Sequence, residues 1–131
     1  MQNGSTASTN HQHFMNIEIV IGKIVVPAQL LDNPTARDFA DMLPLELELA
    51  DYAQTEKVSD LSRKLKTQGS PDGFKASIGD ITYYSPWGNL AIFYRDFPYA
   101  AGLILLGRIE GDIGALGQLG KCSVVIRKAK N

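Results

Sequence analysis

Gly79-Asp80-Ile81-Thr82-Tyr83-Tyr84-Ser85-Pro86-Trp87-Gly88-Asn89-Leu90-Ala91-Ile92-Phe93-Tyr94 is the stretch on which the fold turns. Aromatic and β-branched residues crowd both halves, and a Pro-Trp-Gly-Asn turn separates them, so the stretch reads as a β-hairpin. It is the densest aromatic run in the chain and holds the single tryptophan, which makes it the best place for a pocket in so small a protein.

The β reading extends in both directions. Met15 to Ile21 and Ile24 to Leu31 are strand-like, and the Gly22-Lys23 pair between them has the chemistry of a type II′ hairpin turn. Pro27 lacks the N–H a ladder needs, which predicts a bend, a bulge or a sheet edge there. Leu45 to Leu49 alternates with a period of two, Lys57-Val58 fits a short strand, and Leu103 to Ile109 and Ser123 to Lys128 supply the last strands.

Two segments read as helical. The clearer one has Asn33 as N-cap, Pro34 at the first helical position and Pro44 as terminator. Its apolar stripe is Ala36, Phe39, Ala40 and Leu43, with Arg37, Asp38 and Asp41 on the wet face. The other is Ile113, Leu116 and Leu119, at helical spacing but interrupted by Gly114 and Gly117. Many strands with two short helices predict a mostly β fold, a closed barrel whose helices plug or cap the ends. The expected organisation is a polar tail or linker over residues 1–14 and one barrel domain over residues 15–131.

The bulk properties exclude several function classes. At 131 residues the chain has the length of one domain. Its formal net charge of -1 gives no electrostatic reason to expect a nucleic-acid partner, and no apolar run has the length of a membrane span. One cysteine, Cys122, excludes an internal disulfide and a multi-thiolate zinc site. His11 and His13 fall in the polar tail and read as disordered residues rather than metal ligands; no metal or cofactor is expected. The tail has no signal-peptide core, so a cytoplasmic location is expected, with export followed by signal removal as the alternative. There is no Ser-His-Asp set, and Glu46 and Glu48 lie on an exposed strand face, so hydrolase chemistry has no support.

Candidate contact residues therefore come from the aromatic hairpin. Trp87 at a turn tip either covers an apolar crevice or anchors a ligand. Phe93 faces either the barrel core or a pocket. Tyr83 or Tyr84 directs its hydroxyl to a surface or cleft, because a buried phenol needs a partner. Arg108 is expected to pair with Glu110 or Asp80, Asp80 to fix the start of its strand, and Glu56-Lys57 to form a local ion pair.

Three segments carry a family resemblance: Asp32-Asn33-Pro34-Thr35-Ala36-Arg37-Asp38-Phe39, the hairpin from Gly79 to Tyr94, and Leu106-Gly107-Arg108-Ile109. With their order and spacing, the chain from Met15 to Lys128 resembles the bacterial cyclophilin-like barrel family. The resemblance implies a cyclophilin-like barrel and, in true cyclophilins, peptidyl-prolyl isomerisation. That reaction turns an amide held by resonance, assisted by an arginine that donates to it, a glutamine that fixes the peptide and an aromatic floor. The segment that supplies the cyclophilin arginine has no counterpart here. Ala91 stands where the glutamine would be, Leu103 near the place of the histidine, and bulky Tyr84 in place of a small residue, while Phe93 keeps the pocket phenylalanine. The resemblance thus implies a pocket wall of Phe93, Tyr84, Trp87 and Ala91 without the polar machinery. The expected function is an accessory module binding a peptide or small-molecule ligand. The alternative is a weak prolyl isomerase in which Arg63, from the irregular segment after Lys57, replaces the missing arginine; its other reading is a solvated loop residue.

Overall fold

The computed structural model describes residues 13–117 and 120–130. Its strands are β1 (His13–Ile21), β2 (Ile24–Leu31), β3 (Leu45–Tyr52), β4 (Glu56–Asp60), β5 (Gly73–Phe74), β6 (Asp80–Tyr84), β7 (Asn89–Phe93), β8 (Ala100–Ala101), β9 (Leu103–Ile109) and β10 (Cys122–Lys128), with one helix, α1 (Pro34–Ala40), between β2 and β3. Eight of the strands close an antiparallel barrel in the order β1-β10-β3-β4-β7-β6-β9-β2, and β5 pairs with β8 as a separate ribbon. The polar tail, with His11, lies outside the described residues apart from its last two positions. His13 stands in β1 rather than in a disordered segment.

Local chemistry accounts for each turn that closes the barrel. Gly22 has a φ of +59°, as the first central residue of a type II′ turn requires, and β1 pairs with β2 from Ile21↔Ile24 outward. Pro27 stands just beyond the point where the β2–β9 ladder begins at Ala28↔Ile109, so its missing N–H interrupts no pairing to β9. The β3–β4 hairpin is less suited to its turn: Ala53 and Gln54 both hold left-handed backbones, φ +55° and +56°. That geometry favours Asn-Gly and costs side-chain-bearing residues energy. The double substitution Ala53→Asn, Gln54→Gly is expected to raise stability by about 1 kcal/mol, read as a higher urea midpoint at unchanged slope.

Helix α1 starts as its sequence predicts. The Asn33 side chain accepts from Ala36 N–H at 2.8 Å and donates through Nδ2 to the Leu105 carbonyl, which ties the helix start to β9. Ala36, Phe39 and Ala40 enter the barrel core with Ile17, Leu30, Leu106 and Ile126. Asp38, expected on the wet face, is buried instead, because a loop from the far side of the barrel folds over it.

The expected second helix is absent: the barrel carries one helix among the described residues, not two. Around Ile113 and Leu116 the chain makes single turns, with Leu116 N–H donating to Ile113 O and Gly117 N–H to Gly114 O. Asp112 Oδ1 accepts from Gly114 N–H, a side-chain turn that competes with a helical start, and each glycine adds about 1 kcal/mol against the helix. Leu116 still reaches the core, while Leu119 lies outside the described residues. The only helix described is far too short to cross a membrane.

Strand β7 is buried at all five positions. Leu90 and Ile92 point into the barrel, whereas Ala91 and Phe93 belong to a second apolar cluster outside its wall, with Ala76 and Leu103. The long irregular connection 61–79 and the 94–102 segment meet as the β5–β8 ribbon and contribute Phe74, Phe97 and Ala100 to that outer cluster. The continuous apolar run in β7 is therefore the signature of a strand covered on both faces.

Candidate functional site

The outer face of β7 and its neighbours forms a pocket. Register brings the residues together: Glu56 pairs with Phe93 across β4–β7, Tyr84 with Asn89 across β6–β7, and Tyr84 with Leu103 across β6–β9. Paired residues share a face, so these side chains converge outside the barrel. The cavity is about 200 Å³ and is completed by Tyr52 and Val58 from the β3–β4 hairpin, Trp87 from the β6–β7 turn, and Phe97 and Ala100 from the outer segment.

Its walls are aromatic. The Trp87 ring meets Tyr84 edge-on, with centroids 5.3 Å apart, and meets Tyr52 in the same way at 5.6 Å, both at an interplanar angle of 83°. Phe93 lies 5.6 Å from Phe97. Such edge-to-face packing holds the rings while leaving their other surfaces open. Trp87 remains 58% exposed, so part of its indole is free for contact.

Two polar groups border this apolar space. Glu56 accepts a hydrogen bond from Thr55 Oγ1 at 2.9 Å, and no described lysine or arginine pairs with it. Burial lifts its carboxyl above the ordinary value, an effect the Thr55 bond partly offsets. Asn89 is buried, and its Oδ1, closed off from solvent, has no hydrogen-bond partner among the described residues. A buried acceptor without a donor costs about 1–3 kcal/mol unless something supplies one.

The expected residues distribute as follows. Phe93, Tyr84 and Trp87 border the cavity; Ala91 is on the same face but is packed between Val58 and Thr82 beneath it. Leu103 borders it too, so the positions carried over from the family resemblance meet at one place. Tyr83 points the other way, into the barrel, where its hydroxyl accepts from Leu65 N–H at 3.1 Å. Tyr52, Asn89 and Phe97 carry no site signal in the sequence, and Glu56 reads there only as an ion-pair partner of Lys57. Asn89 follows from hairpin register with Tyr84, but Tyr52 and Glu56 arrive through a barrel neighbour that no local pattern reveals.

Arg63 is a clamp for the loop over α1. Its two terminal nitrogens donate to the two carboxylate oxygens of Asp38 at 3.0 and 3.1 Å, and Asp38 also accepts from Lys66 N–H at 2.8 Å. The Arg63 hydrogen bonds are the main reason the Asp38 carboxyl sits below its ordinary value. A carboxylate lowered in the folded state stabilises it above the unfolded value, about 3.9, and that contribution is lost as pH falls through the lower native value. Urea midpoints should therefore decline below about pH 4, and Arg63→Ala should flatten that acid limb while lowering the neutral-pH midpoint.

Other ion pairs are structural. Arg108 Nε bonds Asp80 Oδ1 at 3.0 Å, and Asp80 Oδ2 accepts from Ser77 N–H, which fixes the start of β6. Glu56 and Lys57 do not pair, because adjacent strand residues face opposite sides. Lys57 is fully buried in the barrel, donating to the Gly120 carbonyl at 2.7 Å and lying 3.7 Å from Asp51 Oδ1. Asp51 also accepts a short hydrogen bond from Tyr94 Oη.

A closed eight-stranded barrel with its pocket on the outside of the β4-β7-β6-β9 wall defines the class of protein. A family described as the cyclophilin-like family matches residues 19–127, and the chain belongs to it. The solution structure of a hypothetical protein from Archaeoglobus fulgidus is similar, with a TM-score of 0.63 and 20% identity over 91% of this chain and 98% of that one. At that identity the likeness is one of fold, and an archaeal relative gives no reason to confine the resemblance to bacteria. A comparison with curated proteins found no match.

Proposed function

We propose that this chain is a non-catalytic binding module whose outer-wall pocket receives one side chain of a peptide or a comparably small ligand. The observation that carries the reading is the open cavity of about 200 Å³ walled by Tyr52, Tyr84, Trp87, Phe93 and Phe97. Size agrees: about 200 Å³ is more than the ~150 Å³ cavity that accepts benzene and less than the ~300 Å³ at which drug-sized pockets begin.

The isomerase alternative needs a guanidinium aimed at a bound amide. Arg63 gives both terminal nitrogens to Asp38, and among the described residues Glu56 is the one charged residue of the cavity wall. A carboxylate there does not donate to a twisting amide, which supports binding over catalysis.

The test is an amide-shift NMR titration with N-acetyl amino-acid amides of phenylalanine, leucine, proline, norleucine and lysine. Binding should shift the amides of Tyr84, Asn89 and Phe93 and the Trp87 indole, and Phe93→Ala should weaken it at least about tenfold. Exchange spectroscopy on an X-Pro peptide should show no acceleration. Silence from every probe, or acceleration abolished by Arg63→Ala, would overturn the proposal.

A further inference from the structure

The pocket's carboxylate and its rings ask for the same thing. Glu56 offers a carboxylate with no basic partner among the described residues, and the tyrosine and tryptophan rings present π-faces. Aromatic faces carry negative quadrupole potential and attract cations, Trp most strongly. Three rings set nearly at right angles, Tyr52 and Tyr84 flanking Trp87, make the corner of an aromatic cage. Among the described residues no lysine or arginine borders the cavity to pair with that carboxylate.

Building on the binding-module reading, we infer that the pocket is selective for an alkylammonium group, the carboxylate of Glu56 and the cage of Tyr52, Tyr84 and Trp87 holding the cation. The aliphatic stem lies against Phe93 and Leu103. An ammonium fits better than a guanidinium, because Glu56 Oε1 already accepts from Thr55 and a compact point charge can use the remaining oxygen, whereas the planar fork needs both. Burial raises the Glu56 carboxyl, and a bound ammonium would lower it again by favouring the charged form.

The ammonium can come from a lysine side chain of a peptide or from a free amine. Trp87, the single tryptophan, reports on both through its fluorescence. The probes are N-acetyl-lysine amide, N-acetyl-norleucine amide with a comparable stem and no charge, and n-butylammonium chloride. Lysine amide should bind at least about tenfold more tightly than norleucine amide. Glu56→Gln should cut that preference below about threefold. Equal binding of butylammonium supports a free amine as occupant, and preference for the lysine amide supports a peptide; either outcome supports ammonium recognition. Norleucine binding as tightly as lysine, or a lysine preference that survives Glu56→Gln, overturns the inference while leaving the binding module intact. No response to any probe removes both.

Discussion

Gly107→Ala should lose at least about 3 kcal/mol of stability, enough to leave much of a marginally stable domain unfolded. Gly107 pairs with Leu30 where β9 crosses β2. An added Cβ would fall on the carbonyl oxygen of Gln29 and within 3.0 Å of the Leu30 Cα. Those are backbone atoms, fixed by the ladder, so the clash is relieved only by parting two strands of a closed barrel. The control is Gly117→Ala, where the nearest atom to a new Cβ is 3.7 Å away and the backbone is not left-handed. It should change stability by less than about 0.5 kcal/mol. Urea unfolding monitored by Trp87 fluorescence measures both, and a Gly107→Ala protein as stable as the control would contradict the packing described here.

Asp51→Ala should cost about 3–4 kcal/mol, because it strips the carboxylate from beside the fully buried Lys57 ammonium. The Gly120 carbonyl remains as an acceptor but brings no charge. Asp51→Ala combined with Lys57→Met should cost less than Asp51→Ala alone, since no buried charge is then left behind. The asymmetry is the prediction: equal costs would mean that burial of charge is not what sets them. Burial first, and then the bond to Asp51, push the Tyr94 phenol up to about 12. A proton held more tightly by the folded state gives stability that is full below the unfolded value near 10 and is lost as pH rises through about 12.

The barrel was legible because its signals are local. Alternation in Leu45-Glu46-Leu47-Glu48-Leu49, the Gly22-Lys23 turn and the Asn33-Pro34 cap each depend on neighbours a few residues apart, and each became the expected element. The second helix misled because Ile113 and Leu116 keep helical spacing for a different reason: one turn suffices to drop Leu116 into the core. Strands β5 and β8 are two residues long and carry no period to read. The site was half legible. Tyr84, Trp87 and Phe93 stood out as aromatics on one hairpin, while Glu56 and Tyr52 come to them only because β4 happens to pair with β7. Lys57 was opaque for the same cause: alternation told which residues face opposite ways, not which way was inward.

The double covering of β7 has a consequence for how such proteins diversify. Asn89 and Phe93 border the outer pocket with Ala91 beneath them, whereas Leu90 and Ile92 hold the staves of the barrel together. Substitutions at odd-numbered positions would therefore reshape the outer pocket while the even-numbered ones keep the architecture.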